Sequence, residues 1–269
     1  MGIPYAEVIG DPVEHSKSPV IHKFWLEKLG IEAEYRATRV APAELRDYLA
    51  SRRADPDWLG CNVTMPHKVR VWQLLPHGDL KCAPGAVNCV IRGTAGLEGH
   101  NFDVDALKRT IPLRHRKGRV VIVGSGGAAR AAREALSAEA VIVLARDQTR
   151  AQALMIDEDD RWYPFSSAVR ALRGAAGLIN STPLGMSGMP QLPDHLLDAL
   201  PNLGTGAFVY DMVYDPAVTK LIGQARDLGM ATELGMTMLI EQAALSFRRF
   251  FGTDPPRHHD AELQAVLAS

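Results

Sequence analysis

Five short stretches carry side chains whose type and spacing could do chemistry. The first is Gly124-Ser125-Gly126-Gly127-Ala128-Ala129, which follows the apolar run Val120–Val123 and leads into an alanine-rich segment. This is G-x-G-x-x-A, the dinucleotide-binding pattern with alanine in its third place. Gly124 permits a tight turn, Gly126 leaves room for a pyrophosphate to approach the backbone, and Ala129 lets helix and strand pack closely. The N–H groups at the start of the helix then attract phosphate charge. The alternative is a glycine-rich turn with no ligand; strand, glycines and helix in this order favour the cofactor. The next strand ends at Leu144-Ala145-Arg146-Asp147, with Arg150 one turn on, near the place where ribose selectivity is set. Arg146 and Arg150 could pair with a 2′-phosphate. Asp147 could accept from a free 2′-hydroxyl and repel phosphate, or simply cap the helix that follows. The two arginines favour NADP and the carboxylate favours NAD.

The other four stretches are polar where the surrounding pattern is not. In His15-Ser16-Lys17-Ser18-Pro19, two hydroxyls at i and i+2 point the same way in extended chain, and beside a helix N-terminus they suit a small carboxylate. Helix capping alone is the plainer role for Ser18. In Asn62-Val-Thr64-Met-Pro66-His-Lys68, a lysine stands two residues after a proline that opens a helix, an odd place for mere surface decoration. Gly85-Ala-Val-Asn88 and Gly99-His-Asn101-Phe-Asp103 each put a side chain able to bond a sugar-like hydroxyl at a strand or turn end. Asn and Asp also simply form turns. The nine histidines show no ligand spacing, so no metal is expected, and His258-His259 reads as a solvated approach to a helix.

Elements that could position these residues alternate along the chain. Strands are expected at Tyr5–Ile9, Ala33–Val40 and Trp58–Val63, and helices at Pro19–Leu29, from Pro42 through Leu49, and at Pro66–Leu75 with proline in the first turn. Ala86–Arg92 and Gly96–Glu98 suggest a small hairpin. After a change of character near residues 103–112 come strands at Val120–Val123, Ala140–Leu144, Ala175–Ile179 and Ala207–Tyr210, with a helix at Ala128–Ser137. Serial βαβ units imply a parallel sheet. Gly235–Phe251 and Ala261–Leu267 read as closing helices separated by the Asp254-Pro255-Pro256 turn.

The chain has 269 residues, 46% of them hydrophobic, which is long enough for one large domain or two modest ones. A formal net charge of −1 gives no electrostatic reason to expect nucleic acid or an anionic membrane. No apolar run approaches the ~20 residues of a membrane span, and Met1–Gly10 lacks the basic-then-apolar order of a signal peptide. Three cysteines, Cys61, Cys82 and Cys89, without C-x-x-C spacing fit a reducing, cytoplasmic setting rather than a disulfide or zinc scaffold.

Taken together, the stretches resemble the shikimate dehydrogenase family over essentially the whole chain. Ser16-Lys-Ser18-Pro19, Asn62-Val-Thr64-x-Pro66-x-Lys68, Gly85-Ala-Val-Asn88, Asn101-x-Asp103 and the Gly124 loop look like its motifs, in order. So do Asn180-Ser-Thr182-Pro183-Leu-Gly185-Met186, Asp211-Met-Val-Tyr214-Asp-Pro216 and Met238-Leu239 with Gln242. The resemblance implies an α/β fold of two domains: an N-terminal α/β substrate domain, residues 1–103 with 236–269, and a Rossmann-type NAD(P) domain, residues 104–235. It implies reversible reduction of 3-dehydroshikimate to shikimate with NADP, with Lys68 as proton donor and acceptor and Asp103 beside it. Ser16, Ser18 and Tyr214 would bind the substrate carboxylate, and Thr64, Asn88 and Gln242 the ring hydroxyls. The cofactor would lie on Gly124, Ser125, Gly126, Gly127 and Ala128, with Arg146, Asp147 and Arg150 at its ribose. Thr182, Met212, Gly235 and Met238 would border the nicotinamide. The expected partner is a small-molecule substrate only, and the chain a monomer or homodimer.

Phe102, Ala106, Ala145, Asp147 and Thr237 depart from the family pattern. Phe102 and Asp147 motivate an alternative, a quinate/shikimate or related cyclohexane-carboxylate dehydrogenase using NAD, and the departures together motivate a minor one, a ligand sensor on the same scaffold. Retention of Lys68, Asp103 and the whole glycine loop argues against the sensor.

Overall fold

Tyr5–Gly10 (β1) is buried along its whole length because two strands flank it in a five-stranded sheet. The computed structural model describes residues 2–76, 79–82, 85–94, 96–111, 118–136 and 139–268. The chain divides into two compact units, Met1–Phe102 with Ile240–Ser269, and Asp103–Leu239. In the first unit β1 is followed by α1 (Ser18–Leu29), β2 (Glu34–Arg39), α2 (Leu45–Ala54), β3 (Trp58–Val63), α3 (Lys68–Leu74), β4 (Cys89–Arg92) and β5 (Leu97–His100). The sheet order is β2-β1-β3-β4-β5. β1 runs parallel to β2 and β3, whereas β3, β4 and β5 are antiparallel neighbours. Both faces are covered: Ile9, Trp58, Val63 and Val90 join one apolar cluster, and Ala6, Val8, Tyr35 and Phe102 another. Glu7 is the charged residue of β1 and is fully buried. Its carboxylate accepts from Arg52 Nε at 2.6 Å, from the Tyr48 hydroxyl at 2.8 Å and from the Thr38 hydroxyl. Buried charge is tolerated when it is paired in this way.

α4 (Phe102–Thr110) opens at the division. The second unit continues with β6 (Val120–Val123), α5 (Gly127–Ala135), β7 (Val141–Leu144), α6 (Gln148–Gln152), β8 (Arg161–Tyr163), α7 (Ala168–Leu172), β9 (Gly177–Asn180), α8 (Asp194–Leu197), β10 (Phe208–Asp211), α9 (Lys220–Asp227) and β11 (Ala231–Leu234). α10 (Gly235–Phe251) and α11 (Asp260–Ala268) follow. The sheet is wholly parallel, in the order β11-β10-β9-β6-β7-β8. This is the doubly wound order of a Rossmann domain, with its topological switch between β6 and β9. The four apolar residues of β6 divide by parity: Val121 and Val123 face one cluster, Val120 and Ile122 the other. An all-apolar strand is what burial on both faces demands.

Several local readings differ from the sequence expectation, and one falls outside the described residues. α3 begins at Lys68, not Pro66: the His67 N–H closes a turn onto the Thr64 carbonyl at 3.0 Å, and the helix starts only after it. Ser18 is the first helical residue rather than a cap; Lys17 holds the cap position with no side-chain capping bond. Ser137, expected in α5, lies outside the described residues. Strands β8 and β11 have no counterpart in the sequence pattern. Both are sheet edges, and β11 is only half-buried, so neither needs an unbroken apolar run.

Candidate active site

In the first unit, several loops carry the polar residues that the sequence singles out. Ser16 Oγ accepts from the Ser18 N–H at 3.3 Å, and the Ser18 side chain is buried. Lys17 between them donates from Nζ to the Leu267 carbonyl at 2.5 Å, fastening this loop to α11. The Ser18 hydroxyl reaches Tyr35, whose own hydroxyl donates to Asn62 Oδ1 at 2.6 Å. Burial, and next the neighbouring Cys89, push the Tyr35 phenol well above its ordinary value, so it stays a donor. Asn62 Nδ2 is buried and has no hydrogen-bond partner among the described residues.

β3 ends one residue before Thr64, whose N–H bonds the Ile9 carbonyl at 2.9 Å. His67 is buried, and its Nε2 lies 2.7 Å from the Val40 carbonyl, tying the turn before Lys68 to the end of β2. The Lys68 carbonyl accepts from the Val87 N–H at 2.9 Å, so the Gly85–Asn88 stretch is docked on the turn that presents Lys68. Asn88 is buried. Its Oδ1 accepts from the Phe102 N–H at 2.7 Å, and its Nδ2 lies 3.5 Å from Gln242 Oε1 on α10. The first unit therefore brings Asn88 and Gln242 together, although they are far apart in the chain. Phe102 packs into the apolar core, its ring 5.3 Å from that of His100. Asp103, at the start of α4, is buried and opens the second unit.

In the second unit, Gly124 follows β6 with φ +110°, a conformation that favours glycine, and a Cβ there would fall 2.8 Å from both Ser181 Oγ and Thr182 Cγ2. Gly126 differs. Its φ of −91° suits any residue, and a Cβ would meet no protein atom within 4 Å. Neither strain nor packing asks for glycine at Gly126, and the open space beside it suits close approach of a ligand's pyrophosphate. Gly126 is also the N-cap of α5, and no side chain caps that helix. Ser125 completes the turn, and Gly127 and Ala128 are the first residues of α5. These features fit a dinucleotide. Asp147 caps α6: its Oδ1 accepts from the Arg150 N–H at 3.0 Å, and its Oδ2 lies 3.3 Å from Arg150 Nε. Arg146 is exposed, and no hydrogen bond or ion pair is seen for it among the described residues.

Thr182 stands two residues beyond the end of β9, and the Met212 N–H bonds the Asn180 carbonyl at 3.0 Å. A Cβ on Gly235 would strike the Met212 and Val213 carbonyl oxygens at 2.5 Å, so this helix start requires glycine. Met238 is buried in the sheet's apolar cluster. Tyr214 is half-buried, and burial followed by the nearby Asp215 raises its phenol pKa. Among the described residues no group of three or more His, Cys, Asp or Glu could hold a metal, and no helix is long and apolar enough to cross a membrane.

Residues 8–90 match the family described as the shikimate dehydrogenase substrate binding domain, and residues 235–262 match the shikimate 5'-dehydrogenase C-terminal domain. A protein of Sphingopyxis alaskensis called shikimate dehydrogenase (NADP(+)) is 42% identical over 276 residues, covering 99% of this chain and 97% of its own. The chain belongs to the shikimate dehydrogenase family. Within that family, shikimate 5-dehydrogenase from Thermus thermophilus, solved with NADP(H) and shikimate, superposes with TM-score 0.79 at 32% identity, covering 98% of this chain and 100% of that one. Quinate dehydrogenase from Corynebacterium glutamicum, solved with NAD, gives TM-score 0.82 at 28% identity, covering 98% and 99%.

Sequence reasoning attached no role to Tyr35, Asn62, His67, Asn180, Asp211 or Thr219, although the structure places each beside a shikimate dehydrogenase motif. Tyr35 and Thr219 lie in no motif that could have signalled them. Asn62, His67, Asn180 and Asp211 lie inside quoted motifs, and their polar type within or beside apolar strands was the available signal.

Proposed function

We propose that this chain is an NADP-dependent shikimate dehydrogenase, reversibly reducing the ring ketone of 3-dehydroshikimate to shikimate. The observation that carries the reading is the glycine turn at the switch point, where Gly126 answers only to a ligand, in a chain alike over its full length to proteins of that name. Bound NADPH supplies the hydride. As the carbonyl carbon is reduced, negative charge develops on its oxygen. Lys68 stabilises that charge as an ammonium and gives up a proton from Nζ; in the oxidative direction it takes the proton back. Asp103 holds a substrate hydroxyl. Ser16, Ser18 and Tyr214 bind the carboxylate, which needs donors rather than a basic surface. Thr64, Asn88 and Gln242 bind or position the ring hydroxyls. The partnerless Asn62 Nδ2 supports a polar ligand here, since an unpaired buried donor costs about 1–3 kcal/mol that a ligand oxygen would recover.

On the cofactor side, Gly124, Ser125, Gly126, Gly127 and Ala128 hold the pyrophosphate and Arg146 meets the 2′-phosphate, with Arg150 nearby. Thr182, Met212, Gly235 and Met238 border the nicotinamide. The carboxylate of Asp147, which alone would favour NAD, is spent on capping α6 and on Arg150. The quinate and NAD reading draws support from the likeness to the Corynebacterium glutamicum protein. Phe102 does not add to it, because that ring lies in the core. Unpaired thiols at Cys61, Cys82 and Cys89 support a reducing, cytoplasmic setting. Lys68→Ala is expected to lower kcat by ~10²–10⁴ while shikimate still binds within a few-fold, measured by steady-state kinetics and titration. Near-normal turnover by this variant would overturn the assignment of Lys68.

A further inference from the structure

A chain of buried hydrogen bonds runs beneath the loops that leave β9 and β10, all within the second unit. Asn180 and Asp211 are the last residues of those strands, face each other in the parallel register, and are wholly buried. Asn180 Nδ2 donates to Asp211 Oδ1 at 2.9 Å and to the Leu184 carbonyl at 3.2 Å. Asp211 also accepts from the Val213 N–H at 3.0 Å and, on Oδ2, from the Thr219 hydroxyl at 2.6 Å. Asn180 Oδ1 accepts from the Thr182 N–H at 3.1 Å and from the Thr182 hydroxyl at 2.7 Å. The Thr182 hydroxyl in turn accepts from the Leu184 N–H at 3.2 Å. Its one proton is therefore committed to Asn180, and what Thr182 offers a ligand is its place.

That place is tightly bounded. On one side Thr182 Cγ2 and Ser181 Oγ crowd Gly124, and Ser181 donates to the Val123 carbonyl at 2.6 Å. On the other side the Asn180 carbonyl holds Met212, whose own carbonyl abuts Gly235. Core packing alone would be served by apolar residues at both strand ends. Burial pushes the Asp211 carboxyl above its ordinary value, so the fold maintains an expensive group here.

We infer that Asn180 and Asp211 are positioning residues for the dinucleotide, locking Thr182 and Met212 at a fixed distance from the glycine turn so that both ends of one cofactor are met at once. The inference rests on the reading that this unit binds NADP. It is tested by calorimetric titration of NADP, and separately of shikimate, into Thr182→Val, Thr182→Ser, Asn180→Ala and the Asn180→Ala/Thr182→Val double variant. Thr182→Val keeps the shape and loses the hydroxyl, and should weaken NADP binding about tenfold. Thr182→Ser should stay within about threefold of the parent, and shikimate affinity should not move. The double variant should lose no more than the worse single one, because the bond between Asn180 and the Thr182 hydroxyl is already gone in each. NADP binding by Thr182→Val at the parent's affinity, or losses that multiply in the double variant, would overturn the inference. If Asn180→Ala does not fold, the two Thr182 variants decide. A parent that binds NADP without oxidising shikimate would sink the substrate reading and leave this test intact. A parent that binds no NADP would sink the dinucleotide reading and this inference with it.

Discussion

Two adjacent residues, Arg146 and Asp147, show how far type and position can be read without coordinates. Their place after the second strand of the dinucleotide unit marks them as the ribose-facing pair. Which of the two governs is not legible, because aspartate is equally suited to a ribose hydroxyl and to a helix cap. In the fold Asp147 caps α6 and pairs with Arg150, and on the proposed function the exposed Arg146 is the residue that meets a phosphate. Charged hydrogen bonds are worth about 1.5–3 kcal/mol, so Arg146→Ala should lower kcat/KM for NADP by roughly 10- to 100-fold and leave that for NAD nearly unchanged. Equal losses with both cofactors would contradict the assignment. The glycines divide in the same way. Gly124 and Gly126 look alike in sequence, yet the first is needed for its backbone angle and its neighbours, whereas a Cβ on the second would meet open space.

Among elements, the buried strands are legible because burial on both faces requires continuous apolar runs, as in Val120–Val123. Edge strands escape because one side of each is unpaired and the apolar demand is relaxed, as at Arg161–Tyr163 and Ala231–Leu234. Proline at residue 66 suggests a helix start, but the turn onto Thr64 delays it to Lys68, which puts the lysine in the first turn. Buried polar partners cannot be read from pattern, since they depend on which strands become neighbours. His22 on α1 is such a case. It is fully buried, its ring stacks 3.9 Å from that of Tyr35, and neither ring nitrogen has a partner among the described residues. Burial lowers its pKa from 6.5 to about 3. Between those values the unfolded chain takes up a proton that the folded chain refuses, so stability falls as pH drops below 6.5, by about 1.4 kcal/mol per pH unit from this group. His22→Phe keeps an aromatic ring and should remove that part of the slope. Denaturant melts of parent and variant at pH 7 and pH 5 would check it; parallel losses of stability would contradict it.

At the scale of the whole molecule, the chain leaves its first unit once, near residue 102, and returns once, near residue 240. The doubly wound unit was legible from serial strand–helix units and one glycine loop. The mixed sheet of the first unit was legible only in part, because an antiparallel hairpin finishing a parallel sheet depends on long-range pairing. A net charge of −1 gives the molecule no overall positive field to attract a carboxylate and a pyrophosphate. On the proposed function, anion binding falls to local devices, the Ser16–Ser18 loop and the start of α5, which no side chain caps. In the same reading these devices serve shikimate and NADP. The most direct measurement is kcat/KM of the purified chain for shikimate and quinate, each with NADP and with NAD. The account predicts that shikimate with NADP exceeds quinate with NAD by about a hundredfold or more, roughly 2.7 kcal/mol in transition-state binding. A preference for quinate with NAD, or no oxidation of shikimate with NADP, would contradict it.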